Sequence, residues 1–566
     1  MDQRAYPRGV PISIKYPEMP IYSFLENSAR KFPNRDAVIY LGARHSYRSL
    51  WEQTLSFAEK LRKLGVKERD RVGLVLPNCP QFIIAFNAVH TLGGIVVTVN
   101  PLLLVEEIRR ELEFTDCKTL IILDRLLEKL PEKHPDKVII AEAAYYAPLH
   151  LRMLSRLRYR ELKGPENSIK FEELTRGTKL TEYVDIDAKD DVAAILFTSG
   201  STGKPKGVML THYALVANAL QSYYWLRGWG YSSKPQEAGW PIILCAIPFF
   251  HSYGLVCMNE ALSFGCTLSL LPSPNGIEIL KAIHNDRVTH APLIPRIIHE
   301  VLRHPDRGKY DLNSLFSCSS GGASISIETM KEMEKLTNAR MYQGYGLTET
   351  GPSICATPVE GDSNYASAGL AYPDTEVKIV DPQIGEVEMP HGRRGEIIVR
   401  GPQLMKGYWL TRKATEEVLK EGWLYTGDIG SMDEQGYIYI VGRKQEKILA
   451  DGHSVYPTEV ENLLVSHPSV EHAVAFGVPD PLRCSTEIKA IIVLHKRIQP
   501  TEALKQELIQ YCGDQLEAYE TPSSITFRDK LPMTAIGKID RLAIQAEIDE
   551  KIRMVASGEI DYDEIK

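Results

Sequence analysis

Short strand-like runs that alternate with helical patterns are the feature that most constrains the fold of this chain. A helical pattern such as SLWEQTLSFAEKLRKLG begins with a predicted capping box (Ser49 and Glu52), repeats apolar residues at helical spacing and stops at Gly65. Such patterns separate apolar runs that are typical of buried strands. These runs are VGLVL from Val72, LIIL from Leu120, AAILF from Ala193, IILCAI from Ile242 and TLSLL from Thr267. We therefore predict an α/β fold class, with helix-covered and mostly parallel sheets in a large N-terminal domain.

The most apolar stretch, FIIAFNAVHTLGGIVVTV from Phe82, has the length of a membrane span but not its composition. It contains Asn87, His90, Thr91 and the pair Gly93-Gly94 near its middle. Polar side chains and a glycine pair interrupt the run of about 20 apolar residues that a spanning helix needs. We interpret the stretch as a helix, a turn and a buried strand.

The pattern changes near the C-terminus to a helix, two strands and a helix, which form a compact α+β unit. These segments are PTEVENLLVSH from Pro457, VEHAVAFGV from Val470, EIKAIIVL from Glu487 and EALKQELIQYCGDQL from Glu502. The boundary is predicted at GRKQEK, because the strand-like YIYIV before it ends in glycine and four charges follow within six residues. We predict a large domain over residues 1–442 and a small domain over residues 443–566.

Length, charge and cysteine usage exclude several classes of protein. With 566 residues the chain is long enough for two or more domains. It carries 66 basic and 73 acidic residues without a long run of one sign, so no nucleic-acid partner is expected. Nine cysteines include no CxxC pair, which argues against a zinc site and a disulfide framework. The first residues contain no apolar run like that of a signal peptide, so we expect a cytoplasmic protein.

The segment TSGSTGKPKG, from Thr198 to Gly207, indicates a phosphate site directly after a strand-like run. It contains three glycines, four hydroxyl side chains and two lysines. Glycine lets backbone N–H groups turn toward an anion, hydroxyl groups add donors, and Lys206 adds a point charge. It is not a Walker A loop, because Thr198 and Pro205 stand where that motif needs glycine and a hydroxyl residue. A flexible surface turn is the alternative.

Eight motifs, the phosphate segment among them, follow one another along nearly the whole chain. They are LGGIVVTVNP from Leu92, TSGSTGKPKG from Thr198, PFFHSYGL from Pro248, SGGASIS from Ser320, YQGYGLTETG from Tyr342, YTGDIG from Tyr425, GRKQEKILADGHSVYPTEVE from Gly442 and PMTAIGKIDR from Pro532. With these motifs the sequence resembles the adenylate-forming superfamily of acyl-CoA synthetases, aryl-CoA ligases, firefly luciferase and peptide-synthetase adenylation domains. It is most similar to medium- or long-chain fatty acid–CoA ligases. The resemblance implies ATP, Mg²⁺ and coenzyme A as ligands.

The resemblance assigns most of the expected site residues to ATP. Thr348 would contact the α-phosphate and Glu349 would bind Mg²⁺, since a hard cation on oxygen ligands lowers the repulsion between a carboxylate and the phosphates. Asp428 would accept hydrogen bonds from the ribose, with Arg443 beside it. The other expected ATP-binding residues are Thr198, Ser199, Gly200, Ser201, Thr202, Gly203 and Lys206 at the phosphates, Gly322, Ala323, Gln343, Gly344 and Tyr345 around adenine, and Lys538.

The resemblance also implies a mobile C-terminal domain that takes part in two half-reactions. Lys538 would reach the acyl carboxylate and the phosphate during adenylation, and it joins Thr348, Glu349 and Lys206 as an expected catalytic residue. The domain would then rotate at a hinge near Gln445 so that a thiol can enter. Gln445 stands where the family usually has Asp or Lys. Gly452 is the expected contact of coenzyme A.

Four residues are expected to line the acyl site, namely His251, Tyr253, Gly322 and Gly346. An amino acid is not the expected substrate, because His251, Ser252 and Tyr253 occupy the segment where amino-acid-activating domains carry an aspartate. Acetate-specific relatives have tryptophan at the position of Gly346, so this glycine is expected to leave room for a longer chain. The leading hypothesis is ATP-dependent conversion of a fatty acid to acyl-AMP and then to acyl-CoA.

Alternatives remain open for the substrate, the acceptor and the partners. The acid could be a short hydroxy or aryl acid, the acceptor a carrier-protein thiol, or the acyl-AMP could be oxidised as in luciferases. A regulator that has lost catalysis is disfavoured by intact Thr348, Glu349, Asp428 and Lys538. Residues 147–163 alternate leucines with Arg152, Arg156, Arg158 and Arg160, which is compatible with peripheral membrane contact or with a solvated surface helix. A homodimer is also left open.

Overall fold

The computed structural model describes residues 6–7, 9–158, 164–198, 205–227, 240–359, 364–450, 453–480, 485–496, 498–533, 539–557 and 559. The helices of this part are α1 (Ser23–Lys31), α2 (Tyr47–Lys63), α3 (Pro80–Thr91), α4 (Val105–Phe114), α5 (Leu149–Arg158), α6 (Phe171–Leu174), α7 (His212–Arg227), α8 (Ser252–Phe264), α9 (Gly276–Asp286), α10 (Pro295–Arg303), α11 (Ile327–Thr337), α12 (Arg412–Val418), α13 (Pro457–Ser466), α14 (Glu502–Gly513) and α15 (Arg541–Ser557).

The strands of the described part fall into two groups along the chain. Those of the first half are β1 (Asp36–Tyr40), β2 (Ala43–Ser46), β3 (Arg71–Val75), β4 (Ile95–Thr98), β5 (Thr119–Leu123), β6 (Lys137–Ala141), β7 (Ile169–Lys170), β8 (Val192–Thr198), β9 (Lys206–Thr211), β10 (Ile242–Cys245) and β11 (Thr267–Leu270). Those that follow are β12 (His290–Leu293), β13 (Ser317–Ser320), β14 (Arg340–Gly346), β15 (Ser353–Ala356), β16 (Leu370–Ala371), β17 (Glu376–Val380), β18 (Gly395–Arg400), β19 (Gly407–Tyr408), β20 (Leu419–Lys420), β21 (Trp423–Met432), β22 (Ile438–Arg443), β23 (Ile448–Ala450), β24 (His453–Val455), β25 (Val470–Asp480), β26 (Ser485–Leu494) and β27 (Ser524–Phe527).

Two large sheets form the framework of the N-terminal part. One has the strand order β16-β15-β14-β13-β12-β10-β11-β1-β2, and the other has the order β19-β9-β8-β4-β3-β5-β6-β7. Most neighbours pair in parallel, as β3 does with β4 and β5, whereas β8 and β9 form an antiparallel hairpin. A third, antiparallel sheet contains β17, β18, β20, β21 and β22. The predicted α/β class with mostly parallel large sheets is therefore confirmed.

The apolar stretch from Phe82 has the structure that the sequence indicates. It forms helix α3, a turn in which Gly93 has φ +66, and strand β4. Every residue of α3 is buried, which explains why its sequence is apolar on all sides. Within the described part, no helix combines the length and apolar character that crossing a membrane requires.

The predicted capping box at the start of α2 is wrong. The helix begins at Tyr47, and its N-cap is Ser46, whose side chain accepts a hydrogen bond from the Ser49 backbone N–H. Ser46 ends strand β2 with an extended backbone, so its hydroxyl faces the first helical turn. Ser49 lies inside that turn and does not cap it.

The C-terminal unit has the predicted order of helix, two strands and helix. Helix α13 precedes the antiparallel pair β25 and β26, and α14 follows them, with β27 added beside β26 in parallel. One buried cluster of this unit includes Val460, Leu464, Ile492 and Leu508 and takes all of its buried members from residues 450–525. This core supports a separate unit, while the boundary between residues 442 and 443 stays a prediction.

Candidate active site

A cavity of about 1650 Å³ lies where the two large sheets meet the C-terminal unit. Its lining includes residues at or just after the carboxyl ends of strands from both sheets. Examples are Asn78 after β3, Thr198 at the end of β8, Ile247 after β10, Ser320 at the end of β13 and Gly346 at the end of β14. Ligands of α/β proteins bind outside the carboxyl ends of parallel strands, so the topology alone makes this cavity the candidate site.

The predicted phosphate segment is the connection of the β8–β9 hairpin. Thr198 and Lys206 are register partners at the base of that hairpin, and both line the cavity. The hairpin therefore brings the hydroxyl and the ammonium to the same edge of the site. Five further predicted phosphate-binding residues, Ser199, Gly200, Ser201, Thr202 and Gly203, lie outside the described residues.

Tyr408 connects Lys206 to Glu349 in the cavity wall. Its hydroxyl donates a hydrogen bond to Glu349 Oε1 at 2.8 Å, and the Lys206 ammonium lies 4.9 Å from the centre of its ring. Burial raises the pKa of Tyr408, and the Glu349 carboxylate raises it further, so the phenol keeps its proton. Strand β19 places Tyr408 there by pairing antiparallel with β9, opposite Val208.

Glu349 fits a magnesium site that one carboxylate shares with phosphate and water oxygens. It follows β14 in a short 3₁₀ turn, Thr348–Thr350, and both Thr348 and Glu349 line the cavity. Glu349 Oε2 receives no hydrogen bond from the described residues, so it is available to a cation. In that part of the chain no group of three or more His, Cys, Asp or Glu side chains is arranged to hold a metal ion. A hard cation here would depend on oxygens from the nucleotide.

The residues expected around adenine lie on two neighbouring strands. Gly322, Ala323, Gly344 and Tyr345 line the cavity after β13 and along β14. Gln343 has a different environment, because its amide donates to the carbonyl oxygens of Tyr365 at 2.8 Å and Ser367 at 2.7 Å. Gln343 thus fixes the segment before β16.

Asp428 and Arg443 form an ion pair across two strands. They are register partners on β21 and β22, and Arg443 Nε lies 2.9 Å from Asp428 Oδ1. The Tyr345 hydroxyl donates to the other oxygen, Oδ2, at 2.5 Å. Burial raises the pKa of Asp428, and the Arg443 guanidinium opposes that effect. Asp428 and Arg443 are therefore neighbours, and the expected contact of both with the ribose stays a prediction.

The expected acyl-site residues surround the start of helix α8. His251 is the N-cap residue, and Tyr253 donates or accepts a hydrogen bond with Ser319 at 2.8 Å. Both line the cavity, as do Gly322 and Gly346. Gly346 has a second reason to be glycine, because a Cβ atom there would lie 1.8 Å from the Pro352 carbonyl oxygen. A side chain at this position would therefore require the backbone between β14 and β15 to move.

The C-terminal unit closes one side of the cavity. Met533 and Ile539 line it. Between them lie residues 534–538, which include Lys538 and are outside the described part. The expected hinge residue Gln445 also lines the cavity, within the 3₁₀ turn Lys444–Glu446. Gly452, expected at coenzyme A, lies outside the described residues.

Three side chains of the site were not singled out by the motifs. Tyr408 belongs to KGYW, Glu396 lies buried on β18, and Glu260 lies on the cavity side of α8. Glu396 accepts hydrogen bonds from the Gly427 backbone N–H at 3.2 Å and from Lys444 at 2.6 Å. Acidic residues inside otherwise apolar strands and helices are the signal that could have indicated Glu396 and Glu260.

Comparison with known families decides the assignment of the chain. Residues 25–409 match the family model described as AMP-binding enzyme. Residues 459–538 match the model described as AMP-binding enzyme C-terminal domain. The chain belongs to the AMP-binding enzyme family. The resemblance on which the sequence analysis depends is thereby confirmed.

Relatives of this AMP-binding enzyme match it over nearly the full length. It is 36% identical over 557 residues to a long-chain-fatty-acid–CoA ligase of Bacillus subtilis, covering 96% of this chain and 97% of that protein. It is 32% identical over 569 residues to a long-chain-fatty-acid–CoA ligase of Escherichia coli, covering 97% and 98%. The crystal structure of the anthranilate CoA ligase AuaEII with anthranoyl-AMP superposes with a TM-score of 0.80 at 23% identity, covering 94% and 97%. At this identity, the similarity to AuaEII is evidence for the fold alone.

Proposed function

We propose that this AMP-binding enzyme is an AMP-forming acyl-CoA synthetase that acts on fatty acids. The observation that supports it most is one cavity that is lined by residues of the β8–β9 hairpin, by Glu349 and by one side of α8. Nucleotide and acid would meet where the sheets end. The full-length similarity to long-chain-fatty-acid–CoA ligases supports a fatty acid as the substrate.

The first half-reaction joins the acid to AMP. A carboxylate oxygen forms a bond to the α-phosphorus of ATP, the bond from that phosphorus to the β-phosphate oxygen breaks, and pyrophosphate leaves. Thr198 and Lys206 would hold the departing phosphates, and Thr348 would donate to the α-phosphate. Lys538 would place positive charge where negative charge gathers in the transition state. Glu349 would hold magnesium, whose charge would lower the repulsion between the carboxylate and the phosphates.

The second half-reaction transfers the acyl group to coenzyme A. The thiolate attacks the acyl carbonyl, the bond to the phosphate oxygen breaks, and AMP leaves. For the thiol to enter, Met533 and Ile539, which line the cavity, would have to withdraw from it. We assign that motion to the connection at Gln445, next to the ion pair of Lys444 with Glu396.

Product analysis with a panel of acids tests the proposal. Fatty, aryl, short hydroxy and amino acids are supplied with ATP, with and without coenzyme A, and pyrophosphate, AMP and thioester are measured. We expect acid-dependent pyrophosphate with fatty acids and thioester when coenzyme A is present. No acid-dependent pyrophosphate would overturn adenylation, and acyl-AMP that accumulates despite coenzyme A would overturn the thiol acceptor.

Lys538 allows the two half-reactions to be separated. Lys538→Ala should lower the rate of adenylation by a factor of about 100 or more, because the charge it supplies is specific to that transition state. Thioester formation from acyl-AMP added directly should be largely retained. Lys530→Ala, an exposed lysine of the same unit, is the matched control. An equal loss of both half-reactions would contradict the proposal that the small C-terminal unit adopts a different arrangement for each half-reaction.

We further propose that helix α5 contacts a lipid surface. Its side chains Leu149, Met153, Leu154 and Leu157 are each more than half exposed, with Leu157 at 84%. The Arg152 guanidinium lies 4.4 Å from the ring centre of Tyr145 and so packs inward. The side chains of Arg156, Arg158 and Arg160 lie outside the described part. An exposed apolar face on a helix is typical of interfacial binding.

Vesicle sedimentation tests this contact. The protein should sediment with vesicles of phosphatidylcholine and phosphatidylglycerol, and Leu157→Glu should reduce the bound fraction by a factor of about five or more. Ile384→Glu, at a residue 65% exposed on another surface, is the control. Equal binding of both variants would contradict the proposal. The cytoplasmic location and the homodimer stay predictions, which cell fractionation and light scattering would test.

A further inference from the structure

The lining of the cavity on the side of the expected acyl site includes a buried carboxyl group, that of Glu260. Helix α8 turns a row of side chains at helical spacing toward the cavity. These are Tyr253, Val256, Cys257 and Glu260. At a rise of about 1.5 Å per residue, Glu260 lies about 13 Å beyond His251 along the helix axis, the reach of an extended chain of about ten carbons. The α8 wall of the cavity therefore carries a carboxyl group at this distance from His251.

Glu260 is incompletely hydrogen-bonded in this position. The residue is only 6% exposed, and the Ser222 hydroxyl on α7 donates to its Oε2 at 2.7 Å. Among the described residues this is the only side-chain hydrogen bond of Glu260, and none of their lysine, arginine or histidine side chains forms an ion pair with it. Oε1 therefore has an unused capacity to accept a hydrogen bond. Ser222 also lines the cavity, so both groups of the pair face the same space.

The groups packed around Glu260 offer no compensating charge. Cys257 on α8, Tyr342 on β14 and Tyr372 after β16 are close enough to interact electrostatically with it. Burial raises the pKa of each of these three groups, so all are neutral at pH 7. Burial likewise raises the pKa of Glu260 to about 7, and the Ser222 hydrogen bond opposes that effect. A buried carboxyl without a full set of partners is unfavourable unless a ligand supplies one.

We propose that Glu260 and Ser222 form a terminal subsite that selects acyl chains carrying a hydroxyl group at or near their far end. A hydroxyl would donate to Glu260 Oε1, whereas a methyl end would displace water from the carboxyl without replacing its hydrogen bonds. Sites built to bond a hydroxyl discriminate against the analogue that lacks it, because a buried polar group is then left unpaired. An ammonium end is disfavoured, since a single carboxyl would have to offset the desolvation of a full charge. The proposal deepens the proposed function and depends on it.

Paired substrates test the subsite. Unsubstituted and ω-hydroxy acids are compared at each length from octanoic to hexadecanoic acid, and kcat/KM for thioester formation is measured. Wild type should prefer the hydroxy acid by a factor of about ten near the decanoic length, as one additional buried hydrogen bond to a carboxyl predicts. Glu260→Leu should abolish this preference and raise kcat/KM for decanoic acid. Ser222→Ala should reduce the preference in part.

A matched control distinguishes the effect of the proposed subsite from the effect of substituting any buried glutamate. Glu111 is another glutamate that is 6% exposed, but it lies on α4 and does not line the cavity. Glu111→Gln should leave the ratio of hydroxy to unsubstituted acid unchanged. An equal change of this ratio in Glu111→Gln and Glu260→Leu would overturn the proposal.

The pH dependence gives a readout that a merely structural role would not produce. As pH rises through about 7, Glu260 ionises, accepts more strongly from a hydroxyl and becomes more costly beside a methyl group. The preference for the hydroxy acid should therefore rise with pH in wild type and stay flat in Glu260→Gln. A preference in wild type that does not change with pH, or one that Glu260→Leu retains, overturns the subsite.

Direct binding distinguishes failure of the subsite from failure of the proposed function. Calorimetric titration of ω-hydroxydecanoic and decanoic acid into the full chain requires no turnover. One outcome is that no acid yields pyrophosphate, but ω-hydroxydecanoic acid binds about ten times more tightly than decanoic acid and Glu260→Leu removes this difference. That outcome would support the subsite and overturn the proposed reaction. If thioester forms and both acids, or an ω-amino acid, bind with equal or greater affinity, the subsite is wrong and the reaction stands.

Discussion

Tyr408 shows at the scale of a single residue how the candidate site is held together. It donates to Glu349 Oε1, and its ring contacts the ammonium of Lys206. Glu349 and Lys206 are 143 positions apart in sequence. Lys206 lies on β9 of one large sheet, whereas Glu349 follows β14 of the other. The phenol therefore holds the carboxylate in one orientation while leaving Glu349 Oε2 for a cation.

Removing the Tyr408 hydroxyl tests this positioning role. Tyr408→Phe should lower kcat/KM for adenylation by a factor of about ten, because a hydrogen bond to a charged group contributes about 1.5–3 kcal/mol. The concentration of Mg²⁺ needed for half-maximal rate should rise, since the carboxylate is no longer held. Thioester formation from added acyl-AMP should be unaffected.

Tyr40→Phe is the control for the Tyr408 variant. Tyr40 is also buried and donates its hydroxyl to the Ala143 carbonyl oxygen, away from the cavity. Both variants lose one hydrogen bond, so stability should fall in each. A Tyr408→Phe enzyme whose Mg²⁺ dependence matches that of Tyr40→Phe would contradict the assignment.

The pairing of β14 with β15 shows at the scale of an element why one glycine is required. The Pro352 carbonyl oxygen accepts hydrogen bonds from the Leu347 backbone N–H and the Thr350 hydroxyl. These bonds hold it 1.8 Å from the position that a Cβ of residue 346 would take. Neither side of this contact is a flexible side chain, so a larger residue must displace the backbone.

Gly346→Ala should therefore destabilise the N-terminal part of the protein. Overpacking that moves backbone costs about 3 kcal/mol, which should lower the midpoint of urea unfolding measurably. Gly344→Ala, on the same strand, is the matched control, because its Cβ would lie 3.5 Å from the nearest atom. If both variants unfold at the same urea concentration, the close approach of Gly346 to Pro352 is not a constraint.

The contact between the small unit and the large domain belongs to the scale of the whole molecule. Arg394 lies 2.8 Å from Glu459 and 4.0 Å from Glu520, and Arg303 lies 3.0 Å from Glu471. These pairs join the large domain to α13, to β25 and to the segment after α14. In this arrangement Met533 and Ile539 reach the cavity, which is the placement that the proposed role of Lys538 in adenylation would need.

Charge reversal at this contact should shift the balance between the half-reactions. Arg394→Glu places like charges together, so it should slow adenylation by a factor of about five while leaving thioester formation from acyl-AMP unchanged. The effect should shrink as salt is added, because partly exposed charges are screened. Arg400→Glu reverses a comparable pair with Glu376 inside the large domain and is the control. Equal slowing in both variants would argue against a role for the contact.

Local patterns in the sequence determined the fold class and the position of the predicted phosphate segment after a buried strand. Apolar periodicity reports which residues of one segment are buried, so the helix and strand after Phe82 and the C-terminal unit were predicted correctly. The motif at Thr198 follows a buried strand in both the sequence and the structure. The same approach misplaced the start of α2 by one turn, because Ser46 and Ser49 are both plausible N-caps and only the extended backbone of β2 selects Ser46.

Tertiary structure decided which distant side chains meet. Tyr345 and Asp428 are 83 positions apart, Asn78 and Phe249 are 171 apart, and no local pattern encodes their hydrogen bonds. Strand order and register bring them together, and these depend on the packing of the whole core. The sequence alone therefore determined that the chain belongs among adenylate-forming enzymes, and the fold decided that Tyr408 contacts Glu349 and that Glu260 lines the same cavity.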